Sequence, residues 1–448
     1  MLKRRIFPEI LSWIEKDHKH ALLVTGARQI GKTYLIRAAL EESKSDYVEL
    51  NFIKNPEFVN LFKGITSINE FYDRLTTVVS GLKLGETIVF LDEVQECKDI
   101  MTWLKFLVED KKYRFVLSGS LLGVELSDLR SAPVGYLHTI DMYPMDLFEF
   151  FTALGVKDST LKLIEESYEK REPIDEFIHN QLMKVFDLYL IIGGMPEAVQ
   201  KYIDTNDISK VAAVQEDIIR QYKSDFTKYE EKSKLQLREI YEAIPSELEE
   251  KNKRFFISHI YGKISFDRVK NNFIWLKNAG VALPVYNITE PKAPLKISEK
   301  RNLFRLFLSD VGLLTSMYSN TVRLNILEGS NNINNGGIYE NVVAQELFSR
   351  GIKTYYFNSK KQGELDFVIE LKGKALPIEV KSGKDYDKHS ALSNCTKDEN
   401  YDIPEAFVLC NGNVSKKEHI TNLPIYMMGC IKEESIDGLV YKLDLQGI

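Results

Sequence analysis

One short stretch near the start of the chain constrains the fold more than any other. Residues 20–28 read HALLVTGAR, an apolar run that ends at glycine and alanine before an arginine, and residues 32–42 read KTYLIRAALEE, a helix-like pattern. At their junction, residues 26–33 read GARQIGKT and match the pattern G-x-x-x-x-G-K-[ST] in full. A buried strand, a glycine-rich loop and a helix are therefore predicted in that order.

A loop of this type binds nucleotide phosphates, and ATP with Mg²⁺ is the predicted ligand. Glycines let the backbone wrap closely around phosphates, while backbone N–H groups and the helix N-terminus stabilise negative charge. Lys32 is expected to reach the β- and γ-phosphates, and the Thr33 hydroxyl to coordinate Mg²⁺. The alternative is a chance glycine-rich turn. The predicted ATP-binding residues are Gly26, Ala27, Arg28, Gln29, Ile30, Gly31, Lys32 and Thr33.

Two later apolar runs end in polar residues that suit the same site. Residues 88–91 are followed by Asp92 and Glu93, and residues 114–117 are followed by Ser118. Asp92 is expected to hold Mg²⁺, and Glu93 to orient or polarise the attacking water. Ser118 could contact the γ-phosphate or that water. The alternatives are an ordinary acidic strand end for the first pair and a simple turn for Ser118.

Length and composition limit the class of protein. A chain of 448 residues suggests roughly three domains. With 44% hydrophobic and 28% charged residues, it is not disordered, collagen-like or a disulfide scaffold. A net charge of −6 makes no global case for nucleic-acid binding, although a local basic groove stays open. We expect a cytoplasmic protein with reduced cysteines, because signal-peptide and CxxC patterns and an apolar run of about 20 residues are missing.

The predicted fold is α/β and comprises four unequal units. Apolar strands that alternate with helices predict a P-loop ATPase core with a parallel sheet at 1–145. Long helical patterns predict a helical lid at 146–234. Two helices followed by two strand-like segments predict a winged-helix-like module at 235–328, although other small α+β units share that order. A Gly/Asn-rich linker at 329–337 opens a small α/β domain at 329–448.

The last domain carries a second set of candidate catalytic and metal-binding residues. Asp366 lies in one predicted strand, and Glu379 and Lys381 share a face of the next. Glu340, on the preceding helix, could complete the cluster. Carboxylates can hold Mg²⁺, which activates water and offsets charge on a scissile phosphate, and Lys381 would stabilise that charge or position the water. The alternatives are a solvated hairpin with exposed charges, and a domain that only binds DNA or a protein partner.

These motifs resemble known families. The segments GARQIGKT, FLDEVQ, VLSGS, GYLHTIDMYPMDLFEF and LIIGGMPEAV resemble an AAA+ family of prokaryotic, archaeal-type ATPases and, more distantly, the origin-recognition and signalling branches of P-loop proteins. The D…E-x-K arrangement resembles the restriction-endonuclease-like PD-(D/E)XK superfamily, and the ATPase family is similar in carrying such a domain. The resemblance implies ATP hydrolysis and a nuclease-like domain. Relatives often have arginine at the position of Tyr136, so Arg130, Arg28 or a neighbouring subunit would supply that charge.

The leading hypothesis is a Mg²⁺-dependent ATPase whose nucleotide state controls how its C-terminal domain engages DNA or a protein partner. The alternatives are a regulatory or defence-type switch without nuclease activity, and a transcription regulator that uses the winged helix. No membrane partner is expected, and the oligomeric state is open. Scattered lysines are more often simply solvated, but some basic residues are candidate DNA contacts. Those near the C-terminal cluster and in the winged-helix-like module are Lys360, Lys361, Lys384, Lys388, Lys263, Arg268, Lys270 and Lys277.

Overall fold

A computed structural model describes residues 2–16, 18–120, 135–226, 231–262, 265–329, 335–383, 386 and 388–433. Arg130, Lys263 and Lys384 lie outside these residues. The described helices are α1 Phe7–Glu15, α2 Lys32–Glu42, α3 Glu57–Phe62, α4 Ile68–Val78, α5 Lys98–Asp110, α6 Leu147–Ala153, α7 Asp158–Lys170, α8 Glu176–Ile192, α9 Pro196–Thr205, α10 Ile208–Asp225, α11 Glu231–Glu249, α12 Ile257–Tyr261, α13 Phe266–Asn278, α14 Val311–Ser316, α15 Asn320–Leu327, α16 Gly336–Ser349 and α17 Ser390–Lys397. The described strands are β1 Ala21–Thr25, β2 Tyr47–Asn51, β3 Ile88–Asp92, β4 Arg114–Gly119, β5 Leu137–Asp141, β6 Ala282–Ile288, β7 Glu299–Leu308, β8 Thr354–Ser359, β9 Gly363–Leu371, β10 Lys374–Val380, β11 Ala406–Cys410, β12 Ser415–Lys417 and β13 Ile420–Pro424.

The N-terminal sheet has parallel strands in the order β2–β3–β4–β1–β5. Its central strands are apolar on both faces. In β3, Ile88 and Phe90 pack into one core, and Val89 and Leu91 pack into another. Such strands are typical of parallel sheets that helices cover on both sides, so the predicted parallel sheet is confirmed. Because parallel strands end at one edge, the residues that follow β1, β3 and β4 lie side by side.

Helices α6 to α10 occupy the region predicted as a helical lid. The turn between α8 and α9 contains Gly193 and Gly194, where side chains would not fit. A Cβ on Gly194 would lie 2.0 Å from the carbonyl oxygen of Met145, and one on Gly193 would lie 2.2 Å from Oδ1 of Asp310. The backbone N–H groups of Gly194 and Leu313 donate to the Asp310 carboxylate over 2.6 and 2.9 Å. This contact fixes the helical region to the corner between β7 and α14.

A second sheet has its strands in the order β12–β13–β11–β10–β9–β8–β6–β7. The helices and strands predicted for the winged-helix-like module are present as α11, α13, β6 and β7. Strands β6 and β7 form an antiparallel hairpin, and β6 pairs in parallel with β8, with Tyr286 opposite Tyr355. The hairpin therefore continues the sheet of the C-terminal region. The boundary at 328/329 stays a prediction, because residues 330–334 of the proposed linker lie outside the described residues.

One apolar core connects the two ends of the molecule. It includes Val24 of β1, Tyr189 of α8 and Ile378 of β10, so the helical region and both sheets contribute to the same core. None of the helices that the structure describes is both long and apolar enough to cross a membrane.

Candidate functional site

The loop between β1 and α2 has a backbone shape that depends on two glycines. Gly26 has a φ of 140°, and a Cβ there would lie 2.1 Å from the carbonyl oxygen of Met142. Gly31 has a φ of 91° and immediately precedes the first residue of α2. A loop that enters a helix N-terminus in this way presents backbone N–H groups and the positive end of the helix dipole to an anion. The eight predicted ATP-binding residues all lie in this loop or at that N-terminus.

Lys32 folds back onto the loop. Its Nζ donates to the carbonyl oxygens of Gly26 and Ala27 over 3.0 and 2.7 Å, and the residue is 5% exposed. Burial lowers the pKa of Lys32 to about 8, although the negative charges of Glu93 and Asp92 act in the opposite direction. An ammonium group that is desolvated and held only by backbone carbonyls is suited to exchange those partners for phosphate oxygens.

Asp92 lies at the end of β3 among neutral donors. Its Oδ1 accepts a hydrogen bond from the Thr33 hydroxyl over 2.8 Å and another from the Ser118 hydroxyl, and its Oδ2 accepts from Nδ2 of Asn51 over 2.5 Å. Burial raises the pKa of the Asp92 carboxyl, and the hydroxyl donors oppose that rise. A hydroxyl and a carboxylate in direct contact are a fitting pair of ligands for Mg²⁺.

Glu93 follows β3 in a left-handed backbone conformation, with φ 58° and ψ 48°. Its Oε2 accepts a hydrogen bond from Nε2 of Gln95 over 2.6 Å and another from the Ser120 hydroxyl over 3.4 Å. Its backbone N–H donates to the Ser118 hydroxyl over 3.4 Å. Ser118 is fully buried near the end of β4. Because its hydroxyl bonds both to the Asp92 carboxylate and to the Glu93 N–H, it bridges the two acidic residues.

Three polar residues at this site were not predicted. Asn51 ends β2, and its Cα is paired with that of Asp92 in the sheet register. The only sequence signal for Asn51 was its position after YVEL, a run whose alternating pattern is weak. Gln95 and Ser120 lie within two residues of Glu93 and Ser118, so their closeness in sequence was the available signal.

The loop also contacts helix α10. Nη1 of Arg28 pairs with Oδ1 of Asp225 over 2.6 Å, and the Arg28 carbonyl accepts a hydrogen bond from the Tyr222 hydroxyl over 3.1 Å. Beside them, Nε2 of Gln29 donates to Oε1 of Gln221 over 2.6 Å. Two consecutive P-loop residues are thus bonded to one helix of the predicted lid.

Tyr136 lies at the opposite edge of the sheet from the P-loop. Its carbonyl accepts a hydrogen bond from the N–H of Ala21, the first residue of β1, and its hydroxyl donates to Glu109 over 2.5 Å. The P-loop follows the last residue of β1, about 16 Å further along the strand. An arginine at this position would not reach phosphates bound to the same chain. Arg28 is the predicted basic residue that does lie in the loop.

The C-terminal candidate residues also meet. Glu340 lies on α16, Asp366 on β9, Glu379 near the end of β10, and Lys381 directly after that strand. Oδ2 of Asp366 accepts a hydrogen bond from the N–H of Val380 over 2.9 Å, and Nζ of Lys381 donates to Oε1 of Glu379 over 2.7 Å. The second oxygen of Glu379 is buried without a hydrogen-bond partner. Burial, with the nearby charge of Asp366, raises the pKa of Glu379 to about 8.

A buried arginine lies among these carboxylates. Arg305 of β7 is 0% exposed, and its Nη1 lies 3.1 Å from Oε2 of Glu340 and 3.6 Å from Oδ1 of Asp366. The same guanidinium pairs with Glu364, and Lys253 pairs with Glu340. These contacts were not predicted, although a lone charge in the apolar run 303–308 was a signal, because a buried arginine requires partners.

The C-terminal cluster in this arrangement does not fit a divalent metal ion. Protein positive charge already contacts all three carboxylates that a metal would otherwise bind. Glu340 pairs with Arg305 and Lys253, Asp366 with Arg305, and Glu379 with Lys381. In the part of the chain that the structure describes, no group of three His, Cys, Asp or Glu side chains has the geometry to hold a metal. The roles predicted for Glu340, Asp366, Glu379 and Lys381 therefore stay predictions.

The comparisons with known proteins agree with the P-loop geometry. Residues 18–151 match the family described as the AAA domain. This region is therefore similar to AAA domains, in agreement with its P-loop. Residues 183–324 and 335–428 match families described as domains of unknown function, DUF8612 and DUF4143. The structure of the Aeropyrum pernix ORC1 protein in complex with DNA shares 14% identity, with a TM-score of 0.32, over 73% of this chain and 93% of that chain. This likeness is too low to support an argument, and no curated protein matched.

The basic residues predicted as DNA contacts lie on several surfaces outside the AAA domain. Those that the structure describes are all exposed: Lys360, Lys361, Lys388, Arg268, Lys270 and Lys277. Lys270 pairs with Asp267 over 3.5 Å. Lys277, at the end of α13, lines a cavity of about 230 Å³ together with Gly26 of the P-loop. Lys277 therefore lies close to the nucleotide site of the AAA domain.

Proposed function

We propose that this chain is a Mg²⁺-dependent ATPase whose nucleotide state is transmitted through helix α10 and changes how the C-terminal region engages DNA or a protein partner. The AAA domain supports the ATPase part of the proposal. The contact between P-loop residues and α10 is the observation that carries the coupling. A regulatory or defence-type switch that hydrolyses ATP without cutting DNA satisfies this proposal.

The side chains of the AAA domain have separate tasks in hydrolysis. Lys32 exchanges its backbone partners for phosphate oxygens of ATP, and Thr33 and Asp92 hold Mg²⁺. Bound Mg²⁺ supplies positive charge that offsets the charge of the phosphates. Glu93 orients the attacking water and is itself held by Gln95, while Ser118 fixes Asp92 and Glu93 relative to each other.

The coupling follows from the position of Arg28. The Asp225 carboxylate that pairs with Arg28 is 6% exposed, so loss of Arg28 would take a charged partner away from a largely buried carboxylate. Arg28 lies in the P-loop, and a bound phosphate would compete with Asp225 for its guanidinium. Helix α10 packs in turn on α14, which Asp310 and the Gly193–Gly194 turn connect to β7. A shift of α10 is thereby passed to the second sheet.

Two substitutions separate ATP binding from hydrolysis. We expect Lys32→Ala to weaken ATP binding about 100-fold, because a charge-assisted contact to phosphate is lost. Glu93→Gln should keep ATP affinity and lower turnover about 100-fold or more, because the base that orients water is neutral. Titration with a fluorescent ATP analogue and phosphate release measure the two quantities. Undiminished turnover in both variants would contradict the proposal.

The coupling has its own test. Hydrogen–deuterium exchange of α10 should change when a non-hydrolysable ATP analogue binds the full chain, and this change should be lost in Asp225→Asn. The matched control is Asp204→Asn on α9, since Asp204 accepts its hydrogen bond from Gln200 on the same helix. Equal ATP-dependent changes in wild type and Asp225→Asn would exclude coupling through this pair.

A metal-dependent nuclease is the second candidate function. The observation in its favour is that Asp366, Glu379 and Lys381 come together from separate elements. Its test is incubation of plasmid DNA with the protein and Mg²⁺ or Mn²⁺, beside Glu379→Ala and Lys381→Ala. Cleavage that both variants lack would support this function. The position of Arg305 argues that cleavage will not be seen in the conformation described above.

A further inference from the structure

Arg305 is the most deeply buried cation among the described residues. Its guanidinium carbon lies 4.8 Å from the centre of the Tyr356 ring, and three carboxylates surround its nitrogen atoms. A fully desolvated guanidinium is tolerated only where it is paired in this way. The position of Arg305 is therefore fixed by the carboxylates of Glu340, Glu364 and Asp366.

A second cation approaches from another direction. Lys253 lies between α11 and α12, and its ammonium pairs with the oxygen of Glu340 that Arg305 does not contact. Arg305 and Lys253 together carry two positive charges, the charge of a divalent metal ion. Both come from the chain that precedes α16, whereas the carboxylates lie on α16 and β9.

We infer that Arg305 and Lys253 take the place of a divalent cation in the C-terminal cluster, which is thereby closed to metal. The two internal cations pair with Glu340 and Asp366, which are two of the three predicted metal ligands. A metal ion would have to displace the Arg305 guanidinium, which is held by three partners and by the Tyr356 ring. The ion pairs of the cluster then hold the β6–β7 hairpin against α16 and β9.

Mn²⁺ binding to the nucleotide-free full chain tests this inference. The background substitution Asp92→Asn removes the other predicted metal site, so the result does not depend on the ATPase proposal. Mn²⁺ is titrated and its free fraction is followed by electron paramagnetic resonance. We expect no site tighter than about 1 mM in the background protein, because its carboxylates are already paired.

Adding Arg305→Met should create one Mn²⁺ site per chain that is about tenfold tighter or more, because two carboxylates lose their partner. The matched control is Arg301→Met on the same strand, since Arg301 is exposed and contacts Glu299. It should create no site. If Arg305→Met does not fold, Mn²⁺ binding to Lys253→Met is measured instead. A smaller gain in Mn²⁺ affinity is expected there, because Arg305 remains.

Two results would overturn the inference. One is a Mn²⁺ site in the background protein that Asp366→Asn abolishes, because the cluster would then bind metal despite Arg305. The other is a folded Arg305→Met protein, or a Lys253→Met protein where the first does not fold, that gains no Mn²⁺ site.

Discussion

The two acidic sites of the chain contain the same residue types but differ in what surrounds the carboxylates. In the AAA domain, the hydrogen-bond donors that the structure shows for Asp92 are neutral, and Lys32 is bonded to backbone carbonyls. In the C-terminal cluster, Glu340 and Asp366 are paired with Arg305. The hydrogen bonds to Asp92 thus leave its negative charge in place, whereas Glu340 and Asp366 are paired with a positive charge of the protein itself.

This difference shows why a carboxylate pattern alone does not identify a metal site. Strand ends bring acidic side chains together in both regions, so both look similar in sequence. What separates them is the third partner, which in the second case comes from β7 and from the loop before α12. The comparison makes predictions about stability, catalysis and pH.

Stability gives the largest expected contrast. In nucleotide-free protein, Arg305→Met should lower the free energy of unfolding by about 3–5 kcal/mol. The change removes the charged partner of Glu364 and Asp366 and one of the two partners of the buried Glu340. Lys32→Met should leave the free energy of unfolding within about 1 kcal/mol of wild type or raise it, because it removes a desolvated ammonium that is hydrogen-bonded to backbone carbonyls. Urea unfolding measures both.

Arg301→Met is the control for a change of arginine on the same strand. Its partner contact is at the surface, and such pairs contribute about 1 kcal/mol or less. If Arg305→Met and Lys32→Met lowered the free energy of unfolding equally, the proposed difference between the two sites would be wrong. That difference is that Arg305 is paired with carboxylates and Lys32 is bonded to backbone carbonyls.

The neutral donors of the ATP site give the second prediction. Gln95→Ala should lower turnover about tenfold or more, because Glu93 loses the donor that fixes its carboxylate, and ATP affinity should stay unchanged. Asn51→Ala should instead raise the Mg²⁺ concentration needed for half-maximal turnover several-fold, about what second-shell partners contribute. Turnover over a range of Mg²⁺ concentrations separates the two effects.

Each variant is the control for the other. Gln95 contacts the residue predicted to orient water, whereas Asn51 contacts the residue predicted to hold the metal. If both variants changed the Mg²⁺ requirement equally, the assignment of separate tasks to Glu93 and Asp92 would be wrong.

The sequence predicted what lies close together along the chain or at the ends of neighbouring parallel strands. The P-loop is contiguous, and Asp92 and Ser118 follow apolar runs whose ends must meet at one edge of a parallel sheet. Strand β2 was missed because it is short and its alternation of apolar and polar residues is weak, and Asn51 was missed with it. The pairing of β6 with β8 could not be predicted, because it depends on tertiary packing between segments that are 66 residues or more apart.

The C-terminal cluster shows the same limit at a single residue. Asp366, Glu379 and Lys381 were found because two adjacent strands carry them in a recognisable spacing. Arg305 is 61 residues before Asp366 and carries no motif. Its burial among carboxylates follows from the way the hairpin extends the sheet, and this placement is the basis for inferring that the cluster is closed to metal.

The last prediction concerns pH. Because burial lowers the pKa of Lys32 to about 8, the free protein loses this proton as pH rises from 7 to 9, while phosphate requires the charged ammonium. ATP affinity should therefore fall about tenfold over that range. By the same linkage, the unfolded chain binds more protons between pH 8 and the ordinary lysine pKa of about 10.4, so Lys32 makes the free protein more stable as pH rises through that window. Lys32→Arg should bind ATP with an affinity that does not change between pH 7 and 9, since guanidinium stays charged. A wild-type affinity that is equally flat would show that Lys32 is not desolvated and that the ATP site resembles the C-terminal cluster in pairing its own cation.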